Sequence, residues 1–290
     1  MMLSADEARQ LDRLAIAAGT ASASAGRRAT RARGDSVEFH DFRPYQPGDD
    51  PRSIDWTVEA RLGQLVVRRF RALGNVPLHL LIDTSASMGA GSPSKLAAAA
   101  RAAAAFAYVA ALRRDPIGVV LFDETVTTHI ATGSGRGQLF RALDALASAD
   151  ASGRSGVDPA LTRYGSAVRG PGLAIVLSDF FDPALTLDGL RFLLYRGLSV
   201  AVVQVLADEE IDPPVDDDME LVDIENPSMA PLVVSSGVLP AYRARLIEAT
   251  AALQSFCHER AAPFIRLVSS DSFGAFVSNC TRAGLLEPHS

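Results

Sequence analysis

Three apolar runs end in an aspartate: Leu80-Leu81-Ile82-Asp83, Val120-Leu121-Phe122-Asp123 and Val176-Leu177-Ser178-Asp179. Carboxylates gathered at a dehydrated rim repel one another unless a cation or hydrogen-bond donors neutralise them. The first run continues as Asp83-Thr84-Ser85-Ala86-Ser87-Met88-Gly89, which offers one carboxylate and two hydroxyls at a spacing of two. Oxygen donors this hard suit Mg²⁺, Mn²⁺ or Ca²⁺, and not zinc or copper. Ser and Asp also cap helices, but the place directly after an apolar strand favours the ion site. Asp179 joins it as a second carboxylate. Asp123, followed by Glu124, reads as a tight turn between two strands.

Rival chemistries find less support. No serine has glycines two before and two after, so the nucleophile elbow of α/β-hydrolases is absent. No GxxxxGK[ST] loop exists. A metal-dependent phosphohydrolase with Asp83 as nucleophile would want a second acid two positions on, where Ser85 stands. The histidines, His40, His79, His129, His258 and His289, are scattered and have no acid at useful spacing. Cys257 and Cys280 form neither a CxxC pair nor a disulfide framework, and read as buried thiols in a reducing compartment.

These donors need a scaffold, and the apolar pattern supplies it. Val76–Ile82, Ile117–Phe122, Leu173–Leu177, Ser199–Leu206 and Phe264–Val268 are short apolar runs typical of strands covered on both faces. Thr125–Ile130 pairs with the second of them. Helical stretches lie between: Pro93–Arg113 with Ser94 as cap, Gly137–Leu146, Ala184–Tyr195, Leu239–Arg260 and Ser272–Thr281. Strands alternating with helices imply a mostly parallel sheet covered on both faces, a three-layer α/β/α (Rossmann-like) sandwich. Ligands of such sheets bind at the carboxyl ends of the strands.

The organisation expected is an N-terminal helix (4–18) and flexible linker over 1–34, a β/turn-rich segment over 35–75 packed on the core, and an α/β domain over 76–290. An excursion near 208–236 carries short strands at 220–224 and 232–235. Ser4 with Glu7 makes a capping-box pattern for the first helix. A net charge of −6 over 290 residues gives no basic face for nucleic acid. Acids and arginines interrupt the N-terminus, and the Ala-rich stretch from Lys95 to Leu112 carries Arg101, so neither a signal peptide nor a membrane span is expected. A cytoplasmic protein follows. Lys95 is the only lysine among 28 basic residues, a pattern that reads as coding bias of a GC-rich genome.

The 35–75 segment is dense in aromatics, charges and turn residues. Arg43, Tyr45, Gly48, Asp49, Asp50, Arg52, Asp55, Trp56 and Arg61 invite a catalytic reading. The structural one is preferred: Arg and Asp lock an irregular segment through charge-assisted hydrogen bonds, with Trp56 as apolar anchor.

Asp83-x-Ser85-x-Ser87, with Ser178-Asp179 ending a later strand, resembles the metal-ion-dependent adhesion site (MIDAS) of von Willebrand factor A domains. The upstream string Arg43-Pro44-Tyr45-Gln46-Pro47-Gly48-Asp49-Asp50, then Arg52-Ser53-Ile54-Asp55-Trp56 and Val67-Arg68-Arg69-Phe70, resembles the bacterial family called domain of unknown function 58 (DUF58). That likeness covers roughly residues 33–200. It implies a von Willebrand A-like fold and a non-enzymatic, metal-dependent protein-interaction module that serves a MoxR-type AAA+ ATPase as adaptor or co-chaperone. Ser85 and Ser87 would hold Mg²⁺ directly, Asp83 and Asp179 directly or through water, with one place open to a partner's carboxylate. Such sites also take a threonine from a Gly-Thr-Asp-Leu loop. The corresponding stretch here is Gly156-Val157-Asp158-Pro159-Ala160-Leu161, leaving Ser155, Asp158, Thr162 or a water as substitutes. A metal-free scaffold of the same fold and the phosphohydrolase remain the alternatives.

Overall fold

The computed structural model describes residues 3–17, 37–44, 54–63, 65–72, 75–181, 186–213, 220–221, 232–233 and 238–289. They belong to two compact units, Met1–Gly26 with Val76–Ser290, and Arg27–Asn75. In the first, Ser4 and Glu7 form the expected capping box of α1 (Ala5–Leu11). The helix expected over 4–18 is shorter. The chain turns after Leu11, and β1 (Leu14–Ile16) pairs antiparallel with Leu286–Pro288 at the other end of the sequence. A partner 270 residues away leaves no trace in local periodicity.

The second unit is built on β2 (Val37–Pro44) paired antiparallel with β3 (Val66–Ala72), with α2 (Trp56–Leu62) between them in sequence. Asp55 is buried and caps α2, its Oδ1 accepting from the Val58 amide at 3.3 Å. Ile54, Val66 and Val67 are buried, whereas Trp56 is 59% exposed. The exposure of Trp56 does not match the apolar anchor expected of it. Tyr45, Gly48, Asp49, Asp50 and Arg52, and the side chain of Arg43, lie outside the described residues, as does the 19–34 segment read as a linker.

From Val76 the first unit resumes with β4 (Leu78–Asp83), a 3₁₀ turn (Ala86–Gly89), α3 (Lys95–Leu112), β5 (Ile117–Phe122), β6 (Val126–Gly133), α4 (Arg136–Ala147), α5 (Val157–Ala167), β7 (Gly172–Ser178), α6 (Leu187–Tyr195), β8 (Leu198–Leu206) and α7 (Asp208–Ile211). There follow β9 (Glu220–Leu221), β10 (Leu232–Val233), α8 (Val238–Glu259), β11 (Phe264–Val268), α9 (Phe273–Arg282) and β12 (Leu286–Pro288). The strands expected at 220–224 and 232–235 appear as the two-residue antiparallel pair β9 and β10. Helix α5 was not expected. Pro159 falls in its first turn, where a missing amide hydrogen is harmless.

Six strands form one sheet in the order β11-β8-β7-β4-β5-β6, parallel except for the antiparallel β5–β6 pair. Side chains alternate between its faces. Leu78, Leu80 and Ile82 of β4 pack with α3 and α9 in one core, while Leu81 packs with α5, α6 and α8 in another. This unit is thus a three-layer α/β/α sandwich. Alanines line most of the buried face of α3, which lets the helix lie close to the strands. By length and composition α3 could cross a membrane, yet 67% of that stretch is buried inside the unit. It is a core helix.

Candidate metal centre

The chain leaves β4 to one neighbour, β5, and returns later to the other, β7. The order of connection therefore reverses between β4 and β7. In open α/β sheets the crevice beyond the carboxyl ends at such a point is where ligands sit. Asp83 ends β4, and Asp179 directly follows β7.

After Asp83 the chain is held by its own side chain, since Oδ1 accepts from the Ser85 amide at 2.9 Å. The Thr84 amide donates to the Phe122 carbonyl at 2.7 Å. Two further backbone bonds stitch the loop to the 152–153 segment, Ala86 N–H to Gly153 O at 3.0 Å and Ser152 N–H to Thr84 O at 2.8 Å. Met88 is fully buried and anchors the 3₁₀ turn from below. Asp179 is fixed from the far side. Gln204 Nε2 donates to its carbonyl at 3.3 Å, and Thr250 Oγ1 in turn donates to Gln204 Oε1. The next residue, Phe180, is buried with φ of 52°, a left-handed conformation that is uncommon for a bulky side chain and bends the chain sharply there.

These supports bring Asp83, Ser85, Ser87 and Asp179 together as expected. The Ser85 and Ser87 hydroxyl oxygens lie 3.1 Å apart, and Ser87 Oγ donates to Asp179 Oδ2 at 2.9 Å. Around Mg²⁺ with bonds of about 2.1 Å, adjacent ligand oxygens lie about 3 Å apart. Both spacings are those of the hydrogen bonds these groups make, and they equal that edge; the oxygens are of the hard type that a small cation takes. Among the described residues no group of three or more His, Cys, Asp or Glu side chains is placed to hold a metal. An ion here would therefore depend on the hydroxyls.

Asp83 is fully buried. Its Oδ2 accepts from Ser178 Oγ at 2.7 Å and from Ser155 Oγ at 3.4 Å. Burial, and then the neighbouring Asp179 carboxylate, push its pKa up to about 6 against the relief these donors give. Of the candidates to replace the threonine, Ser155 is the one that reaches the site. Asp158 instead accepts from the Gly189 amide at 2.7 Å, Thr162 is exposed, and Val157 is buried in the core. Asp123 keeps to its turn, its Oδ1 accepting from the Thr125 amide at 2.8 Å.

The sequence reading gave no role to two side chains of this cluster. Ser178 looked like part of an apolar run, but it is the nearest donor to Asp83. Lys95, the first residue of α3, has no exposed surface, and its Nζ donates to Asp179 Oδ2 at 2.8 Å and to Glu210 Oε1 at 2.5 Å. Burial pulls the Lys95 pKa down, and the two carboxylates outweigh it and hold it above the ordinary value. Burial raises Glu210 despite the ammonium beside it. The signal was present in the composition: one lysine among 28 basic residues, twelve positions after Asp83.

The model of the family described as "Protein of unknown function DUF58" matches residues 41–252. The chain belongs to the DUF58 family. This DUF58 chain is 29% identical over 198 residues to proteins named "Uncharacterized protein Rv1480" in Mycobacterium tuberculosis and "Uncharacterized protein Mb1516" in Mycobacterium bovis, a match over 67% of this chain. It spans 62% of the length of these curated relatives. Among solved structures it is similar to BatB from Bacteroides thetaiotaomicron (16% identity, TM-score 0.43, covering 72% of this chain and 98% of that one). It is also similar to an aerotolerance-related membrane protein from Bacteroides fragilis (15%, TM-score 0.46, 71% and 99%). A third likeness is to the pilus adhesin SpaC from Lactobacillus rhamnosus GG (12%, TM-score 0.46, 74% and 31%).

Proposed function

We propose that this DUF58 chain is a non-enzymatic protein-interaction module of von Willebrand A type. In this reading Ser85 and Ser87 hold Mg²⁺, with Mn²⁺ or Ca²⁺ as substitutes, and Asp83 and Asp179 hold it directly or through water. The ion supplies a Lewis-acidic point that a partner's carboxylate completes. The observation that carries the reading is the run of close oxygens at the switch point, Ser85 Oγ to Ser87 Oγ at 3.1 Å and Ser87 Oγ to Asp179 Oδ2 at 2.9 Å, beside the buried Asp83 carboxylate. Mg²⁺ commonly keeps part of its shell for water or an outside ligand, which leaves room for a partner. The partner proposed is a MoxR-type AAA+ ATPase, on the family resemblance in the sequence, and the place is the cytoplasm, with Cys257 and Cys280 as free buried thiols.

Asp83 is poorly placed to attack a phosphoryl group, being fully buried with both oxygens already accepting hydrogen bonds. This supports binding over catalysis. One observation favours the metal-free scaffold instead. The Lys95 ammonium already pairs with Asp179. A pull-down from a cell extract decides, using the full chain and its Ser85→Ala/Ser87→Ala variant, each with and without chelator. The expected result is an AAA+ protein retained by the unaltered chain in Mg²⁺ and lost with the variant or the chelator. The same partners in all conditions would point to the scaffold.

A further inference from the structure

We infer that Lys95 is the resident cation of this site: its ammonium, lodged between Asp179 and Glu210, keeps the carboxylates assembled with no divalent ion bound, and without it the fold comes to depend on such an ion. This goes beyond the proposed function. It concerns what holds the site together, whether or not an ion bridges to a partner.

The placement of Lys95 runs against every local preference. A lysine is rarely buried to the point of no exposure, and its charge sits at a helix N-terminus, where the backbone dipole favours anions. Only the two carboxylates account for it. Asp179 Oδ2 receives both Lys95 Nζ and the Ser87 hydroxyl, so the ammonium and the hydroxyl loop are joined through a single oxygen. Glu210 completes the clamp, and its other oxygen accepts from the Ala207 amide at 2.9 Å.

The choice of residue is informative in itself. Everywhere else this chain uses arginine for a positive charge, and here alone it uses lysine. A guanidinium is a wide planar fork, whereas an ammonium is a compact point that donates in three directions. A single nitrogen that donates to Asp179 Oδ2 and Glu210 Oε1 at once suits the ammonium. Among the described residues Lys95 is also the only cation paired with either Asp179 or Glu210. Its loss leaves Asp83, Asp179 and Glu210 close together with no positive charge. Removing one partner of a buried pair strands the other charge, and the penalty is large. A divalent ion beside the paired Ser85 and Ser87 oxygens is then the replacement the site can accept.

The test is thermal unfolding of the full chain, comparing the unaltered protein, Lys95→Met, and the charge-balanced Lys95→Met/Asp179→Asn/Glu210→Gln, each in chelator and in millimolar MgCl₂. In chelator Lys95→Met should melt about 10 °C below the unaltered protein. Mg²⁺ should restore most of that loss while moving the unaltered protein by only a few degrees. The triple variant should recover without Mg²⁺. Lys95→Met as stable as the unaltered chain in chelator, or no more stable in Mg²⁺, would overturn the inference. If Lys95→Met does not accumulate in folded form, a folded triple variant supports the inference and a triple variant that also fails overturns it. Partner capture by the Ser85→Ala/Ser87→Ala chain is read separately, so a failure of ion bridging and a failure of the Lys95 role give different results.

Discussion

Lys95 and His79 show how burial turns a side chain's chemistry. Because Lys95 is the only lysine and has no exposed surface, amine acylation becomes a clean probe of the site. Treating the folded protein with an acetylating reagent at mildly alkaline pH should modify the N-terminal amine and spare Lys95 until urea is added. Peptide mass spectrometry showing Lys95 modified at the rate of a free lysine would contradict the clamp. His79 lies at the start of β4, with Nδ1 2.7 Å from Tyr164 Oη, and its pKa is lowered to about 4 by burial and then by His129. Its folded pKa is below its unfolded value of 6.5, so the unfolded chain takes up the proton first as pH falls. Stability from the neutral imidazole is therefore full above pH 6.5 and is lost between 6.5 and 4, by about 3 kcal/mol in total. Asp83 acts with the opposite sign. Its pKa is raised from 3.8 to about 6, so its contribution to stability grows as pH falls through that window. Comparing urea midpoints of the unaltered chain and His79→Gln across pH isolates the histidine. The variant should lose the His79 component of the slope, and identical pH profiles would refute the assignment.

At the scale of elements, α3 carries Lys95 into the cluster. Ser94 caps it by accepting from the Ala97 amide, Lys95 opens it, and its alanines bring it close to the sheet. A face packed that closely has no room for added methylenes. Ala104→Leu, at a fully buried position, should cost about 1–3 kcal/mol, while Ala97→Leu on the exposed side should be nearly neutral. Denaturant midpoints check both, and equal effects would mean that the close approach of α3 is not what stabilises this layer. The elements themselves were legible wherever burial was two-sided. Apolar runs for β4, β5, β7 and β8 could be marked within a residue or two, because strands covered on both faces are apolar throughout. Helix α5 was missed because its Gly-Val-Asp-Pro start looks like a loop, and β1 because its pairing is with β12.

For the molecule as a whole, the first α/β unit is closed by its two ends. Alongside the β1–β12 pair, the His289 amide donates to the Arg13 carbonyl at 2.7 Å, and the Tyr108 hydroxyl of α3 donates to Asp12 at 2.9 Å. Leu11 of α1 is fully buried in the core that holds α3 and α9. The N-terminal helix is thus part of the sandwich. Leu11→Ala should cost about 3 kcal/mol, as for other buried leucines. An unchanged urea midpoint would show that the N-terminal segment is dispensable to the fold.

From sequence alone the fold class followed, together with the gathering of Asp83, Ser85, Ser87 and Asp179 at one rim. Those features are written locally: an apolar run ends, polar donors follow at fixed spacing, and the sheet rule sends them to one rim. The clamp of Lys95 on Asp179 and Glu210 could be decided only in three dimensions, as could Ser178 and Ser155 on Asp83. Lys95 and Glu210 are 115 positions apart, and nothing in either neighbourhood requires a partner. Folding brings them together because a buried charge is tolerable only where an opposite charge arrives beside it.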